Sequence, residues 1–316
     1  MTAADTATNA TGAWRPSREV EMIVGTPAGG GQDRPARMLM RILAEAGIVD
    51  VPMKVTNIGG KGGGNAWDAL RARAADGHVL SISAPPLVNN RILGVSDFDY
   101  EVCPPLANLY TEYLAFIVRA DSPFKDAHTL LAQLKADPAA LTVALATAVG
   151  STNHLAMGKI VQHLGGDPRQ LQLRVFESAL HAVDDVVAGN APLGVISAVS
   201  TRKALAAGAV RLLAVSSPER MGGEFAAAPT WHELAVPCVM GQWRGVLGTP
   251  GITAAQTAYW QWALAAAVNQ PAWKAELAAN SWSDQFLTGA PLRAFLDGER
   301  ALTAELLRVL GLLKAA

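Results

Sequence analysis

The amino-acid sequence predicts an α/β protein of two lobes, each a mixed or parallel sheet flanked by helices. Three observations predict it. Short β-branched runs alternate with longer helical ones along most of the chain, the pattern of strands connected by helices. The chain has 316 residues, beyond the length at which a single core usually keeps growing. Two apolar stretches, at residues 113–120 and 241–253, read as passages of the chain from one lobe to the other.

The elements follow in order. Residues 1–17 are small and polar and read as a disordered lead. "VEMIVG" (20–25) is a strand, and residues 34–46 form an amphipathic helix with Pro35 in its first turn, where a missing N–H costs nothing. "MKVTN" (53–57) is a strand, residues 66–74 a helix, and "HVLSISA" (78–84) a strand. After the apolar run at 113–120 come a helix at 127–137, a strand at 141–147, a helix at 153–164 and a strand at 171–176. A helix at 178–188, strands at 193–198 and 210–216, and a short helix between them complete the second lobe. The second passage ends in a Pro/Gly break, and residues 253–313 are mostly helical. With the tail returning to the first lobe, residues 18–120 plus 241–316 form lobe 1 and residues 121–240 form lobe 2.

Composition excludes several classes of function. Half the residues are hydrophobic, 17% are charged and the formal net charge is −1, with no block of Lys or Arg. That balance points to neither nucleic acid nor an anionic membrane as partner. No apolar run approaches the ~18 residues of a membrane helix. The six histidines make no pair at metal spacing, and Cys103 and Cys238 form no CxxC, so neither a metal nor a cofactor is expected. The two cysteines read as buried thiols; whether they pair depends on a separation the sequence does not give. The start of the chain lacks the basic and apolar regions of a signal peptide, which leaves a cytoplasmic protein or a trimmed leader.

Chemistry concentrates at three strand-to-helix junctions. In "VGTPAGGGQDRPARM", Gly29, Gly30 and Gly31 precede a helix start at which Asp33 is placed as N-cap. Main-chain N–H groups and the helix dipole make such a start an anion site, and glycine lets an oxygen reach the amides. In "NIGGKGGGNAW" (57–67), five of eleven residues are glycine, again before a helix and at the same sheet edge. In "ATAVGSTNHLAMGKI" (146–160), Gly150 precedes Ser151, Thr152 and Asn153 at the opening of a third helix. Ser151 and Thr152 either cap that helix or reach a ligand. Neither nucleotide fingerprint is present: no Gly-Lys pair is followed by Ser or Thr, and three residues after Gly31 stands Arg34. Ser151 and His154 could form a nucleophile and base, but no G-x-S-x-G elbow surrounds them, and no catalytic residue is assigned. Three such junctions without an acid/base set describe a device that grips an anion and leaves it unchanged.

These residues resemble the Bug-type periplasmic solute-binding receptors of tripartite tricarboxylate transporters, from about Val20 to about Leu313. "VGTPAGGGQDRPARML" is similar to the family's first-strand signature, and "VTNIGGKGGGNAWDAL" to its Asn-x-Pro-Gly-x-Gly-Gly loop. "ADGHVLSIS", "GSTNHL", "LLAVSSPERM", "APTWHEL" and "WRGVLGTPGI" match later blocks in order. The resemblance implies a Venus-flytrap periplasmic binding fold with the ligand in the interlobe cleft, hinge closure, no catalysis and no cofactor. It implies a small aliphatic or aromatic carboxylate as ligand, the membrane permease subunits of a tripartite transporter as partner, a monomer, and a periplasmic location with the leader trimmed. By position it implicates Ala28, Gly29, Gly30, Gln32 and Asp33 in the first lobe and Gly150, Ser151, Thr152 and Asn153 in the second. Ala84, Pro85, Ser178 and Ser197 are the expected selectivity positions. Gly59 stands where the family has proline, Lys61 where it has a small residue and Thr26 where it has Phe, and "AGNAPLGVIS" lacks an acid. Lys61 near the mouth would suit a second carboxylate. Two other readings use the same residues: a sensor that presents its ligand to a signalling partner, and an enzyme of carboxylate metabolism using Ser151 and His154 or Asp33.

Overall fold

The computed structural model describes residues 14–313. In chain order the elements are β1 (Val20–Val24), α1 (Asp33–Glu45), β2 (Met53–Asn57), α2 (Gly64–Arg71), β3 (Val79–Ser83), α3 (Pro86–Ile92) and β4 (Pro105–Arg119). Then follow α4 (Ala127–Ala136), β5 (Thr142–Ala146), α5 (Thr152–His163), β6 (Gln172–Phe176), α6 (Ala179–Val187), β7 (Leu193–Ser197), α7 (Ala198–Ala206) and β8 (Val210–Val215). The chain closes with β9 (Gly241–Gly248), α8 (Ala254–Val268), α9 (Pro271–Asn280), β10 (Ser283–Leu287) and α10 (Gly289–Val309). It divides into two compact units.

The first unit comprises residues up to Ser83, Phe98–Ala107 and Gly245–Lys274. Its strands run β2-β1-β3-β9, with β1 parallel to β2 and β3 and with β9 antiparallel to β3. The apolar run of β1 is buried at Val20, Met22, Ile23 and Val24. Helix α1 covers it because its apolar residues recur at helical spacing: Ala36, Leu39, Ile42 and Leu43 are buried while Arg34, Arg37 and Arg41 are exposed. Each fully buried large side chain contributes about 1.5–3 kcal/mol of transfer free energy. Trp67 stacks on Phe98 at 5.9 Å, and its indole N–H donates to the Ile82 carbonyl.

The expected disordered lead of residues 1–17 does not hold for its last four residues. Residues 1–13 lie outside the described residues, but Trp14 packs edge-on against His78 and Tyr259, and the Ser17 N–H donates to His78 Nε2. The aromatic face of α8 gives a polar-looking segment somewhere to pack.

Among the described residues the second unit comprises Ala84–Asp97, Asn108–Arg244 and residues 275–313. Strands β6, β5 and β7 are parallel, linked by α5 and α6, and β7 pairs antiparallel with β4, which also pairs β8 and β10. Phe116 and Trp231 meet edge-on at 4.8 Å in its core. The expected lobe boundaries need correction. The tail was assigned to lobe 1, but α10 packs on α3 and α5, and Leu306, Leu307 and Leu310 belong to the second unit's core. Gly158 of α5 makes room for it: a Cβ there would stand 3.1 Å from Leu310 Cδ2. The two passages are present, displaced from the expected breaks: β4 changes units after Ala107 and β9 after Arg244. Both cysteines are free and buried, and burial pushes both thiols up to about 12.

Candidate ligand-binding loops

The loop from Gly25 to Gln32 leaves β1 and turns into α1. Its glycines answer to different constraints. A Cβ on Gly25 would stand 2.7 Å from Gly63 Cα, so the two glycine loops touch through their backbones. On Gly30 it would stand 2.8 Å from Thr26 Oγ1 and 2.9 Å from the Pro27 carbonyl. Gly29 has φ +79° and open space where a side chain would point. Part of the glycine content therefore serves loop-on-loop packing, and Gly29 alone of these three is free of close neighbours.

Asp33 holds this loop. Its carboxylate is buried and accepts from the Gly29 N–H (2.8 Å), Arg37 Nε (2.9 Å) and Asn57 Nδ2 (2.8 Å). Asn57 Nδ2 also donates to the Thr26 carbonyl. Burial pushes the Asp33 carboxyl up, but the Arg37, Gly29 and Asn57 donors outweigh it and hold it below its ordinary value. The expected N-cap role is not realised. Gln32 occupies that position without a side-chain cap, and Asp33 is the first helical residue, its oxygens turned to the loop instead. The remaining loop bonds consume the amides of Gly30, Asp33 and Arg34. The amides of Ala28 and Gln32 have no acceptor among the described residues, and the buried Thr26 Oγ1 and Gln32 Oε1 have no hydrogen-bond partner there.

The second loop, after β2, sits beside the first because β1 and β2 are parallel neighbours. Asn65 Nδ2 closes it on the Gly59 carbonyl at 2.9 Å. Lys61 is exposed at φ +48°.

In the second unit, the loop after β5 leads into α5. Gly150, at φ +80°, donates its N–H to His154 Nδ1 (3.1 Å), and its carbonyl accepts from Asn89 Nδ2 (2.9 Å). Ser151 is the N-cap residue, but its hydroxyl donates to the Ala146 carbonyl and makes no cap. The amides of Thr152, Asn153 and His154 have no acceptor among the described residues, as the first turn of a helix dictates when no side chain caps it. Asn153 is fully buried: Nδ2 donates to the Val195 carbonyl (2.6 Å), and Oδ1 accepts from Gln242 Nε2 (3.2 Å). Its side chain braces α5 and leaves only its amide to a ligand. His154 is buried and its imidazole pushed down to about 4 by desolvation, so it is neutral near pH 7 with its proton on Nε2. That tautomer spends Nδ1 on the Gly150 N–H, and the Ser151 hydroxyl points to a carbonyl, so the two do not form the nucleophile–base pair of the enzyme reading.

The selectivity positions are placed as follows. Ala84 and Pro85 belong to the second unit, where their carbonyls start α3. The Ser178 hydroxyl caps α6 by accepting from the His181 N–H. The Ser197 hydroxyl donates to buried Glu112. Asn89 and Glu112 were not singled out from the sequence. The double proline of "SAPPLVNN" signals a helix start that would have placed Asn89 on a buried face; Glu112 carries no local signal.

Residues 36–303 match the model of the tripartite tricarboxylate transporter family receptor, TctC. The chain belongs to this family. It is 29% identical over 242 residues to Protein BugT of Bordetella pertussis, covering 75% of this chain and 72% of that one. Among solved structures it is similar to a TctC solute binding protein from Polaromonas, at 26% identity and TM-score 0.76 over 93% of this chain and 99% of that one. It shares its fold with the periplasmic binding protein BugD (TM-score 0.75, 22% identity, 95% and 100% covered). It shares it too with an R. palustris protein solved with adipate (TM-score 0.78, 21% identity, 94% and 98% covered). The TctC match runs from the first turn of α1 into α10 and so takes in parts of both units, with β1 and the loop after it lying before its start. Among the described residues, no helix is long and apolar enough to cross a membrane.

Proposed function

We propose that this TctC receptor captures a small organic carboxylate in the periplasm and delivers it to the membrane permease subunits of a tripartite transporter. One observation carries the reading: the amides of Thr152, Asn153 and His154 are left without acceptors, while every side chain that could have capped them is committed elsewhere. The carboxylate takes these amides. In the first unit the loop after β1 leaves only the amides of Ala28 and Gln32 open, since those of Gly29 and Gly30 are bonded to Asp33 and Pro27. Charge-assisted hydrogen bonds of this kind are each worth about 1.5–3 kcal/mol. A few of them with some apolar burial reach the roughly −8 kcal/mol of micromolar affinity. The adipate found in a protein of the same fold supports the ligand class.

The test is a thermal-shift screen over mono-, di- and tricarboxylates. A ligand specific to the folded state raises the melting temperature by mass action, by an amount that grows with its concentration. A carboxylate that does so supports the reading. A flat response across the whole panel removes it.

A further inference from the structure

We propose that the ligand is a monocarboxylate with an apolar body, and that Val149, Phe176 and Leu180 are the residues that select it. This rests on the carboxylate-receptor reading and narrows it.

The sheet register places these residues together. Ala146 at the end of β5 is the partner of Phe176 at the end of β6, and the Thr147 N–H donates to the Phe176 carbonyl at 2.8 Å. Both loops therefore leave the sheet at one edge. Val149 stands three residues beyond Ala146, and Leu180 is the second residue of α6. Val149 is 47% exposed and Leu180 61%, large apolar side chains left in solvent on the segments that follow β5 and β6. Thr152 marks the polar end of this arrangement. It is 7% exposed, and its main-chain N–H has no acceptor among the described residues.

The charges at this edge argue against a second carboxylate. Arg174, the nearest cation along β6, is held by both oxygens of Asp185 at 2.8 and 2.9 Å and lies over the Phe176 ring. Glu177, exposed between Phe176 and Ser178, adds repulsion. The hydroxyls of Ser178 and Ser197 are spent on His181 and Glu112. A second carboxylate pressed against Val149 and Leu180 would lose water without gaining a donor, whereas an alkyl or aryl body would gain from the same burial.

The experiment is isothermal titration at pH 8, where an ordinary imidazole is neutral, with three sets of probes: propionate through octanoate, benzoate, and the dicarboxylates succinate and adipate. The expected result is a Kd that tightens about two- to fourfold per added methylene, benzoate binding, and dicarboxylates at least tenfold weaker than hexanoate. Leu180→Ser and Val149→Ser, checked for folding by circular dichroism, should flatten the chain-length dependence while leaving propionate within about twofold. Should either variant fail to fold, the wild-type series decides by itself. Dicarboxylates binding as tightly as hexanoate overturn the inference and leave the receptor reading standing. No binding by any probe overturns the inference, and the thermal-shift panel, which adds tricarboxylates, then decides the receptor reading.

Discussion

Asp33 and His154 do the same work in different units: each is a buried side chain that fixes a loop amide, Gly29 in one case and Gly150 in the other. Their pH signatures differ. His154 is held neutral in the fold, down to about 4, against about 6.5 when unfolded. Between those values the unfolded chain binds the extra proton, so stability is complete above about pH 6.5 and falls as pH drops toward 4, by up to about 3 kcal/mol. Urea titrations across that range check it, and His154→Phe should remove most of the slope; a slope unchanged in the variant would mean that other groups carry it. Asp33 is lowered in the fold, so its contribution is present above the ordinary Asp value of about 3.9 and is lost as pH falls through its folded value. Asp33→Asn keeps the shape but leaves Arg37 and the Gly29 amide poorly matched, and should cost about 2–4 kcal/mol at pH 7 by chemical denaturation. The sequence pointed to Asp33 as a cap because it stands at a helix start, and the family resemblance implied Asn153 as a ligand contact. It could not show that their partners lie far along the chain, Asn57 for the one and Val195 with Gln242 for the other.

At the scale of elements, strands and helices followed from periodicity, and most appear within a residue or two of their expected bounds. Two elements escaped. Helix α3 is only seven residues long, and β10, "SDQFL", is polar and half exposed, with too little alternation to read as a strand. Helix α10 was recognised but joined to the wrong unit. Its spacing shows which face is apolar, not which surface that face covers. The glycine at 158 and the leucines of α10 settle the matter. Leu307→Ala should cost about 2–5 kcal/mol, and Gly158→Val about 1–3 kcal/mol through crowding against Leu310. Both are measurable as falls in melting temperature. A neutral Gly158→Val would mean that α10 yields easily and contributes little to the second unit's core.

Across the whole molecule, the division into two α/β units, the passages between them and the family were legible in the sequence. The reason is physical: a glycine-rich strand-to-helix junction is a local structure, fixed by a handful of adjacent residues, and three of them in order survive as recognisable blocks. The assignment of each unit's outer elements depends on packing between distant segments and was not legible. The near-neutral net charge of −1 offers no long-range field to draw an anion in, and the proposed recognition rests on the few main-chain donors at the loops. Those donors can be watched individually. The most direct measurement is a titration of 15N-labelled protein with the carboxylate that gives the largest thermal shift, following backbone amide resonances. The expected result is a saturable downfield shift at Thr152, Asn153 and His154. Saturable binding that leaves the three amides at the start of α5 unmoved would contradict it.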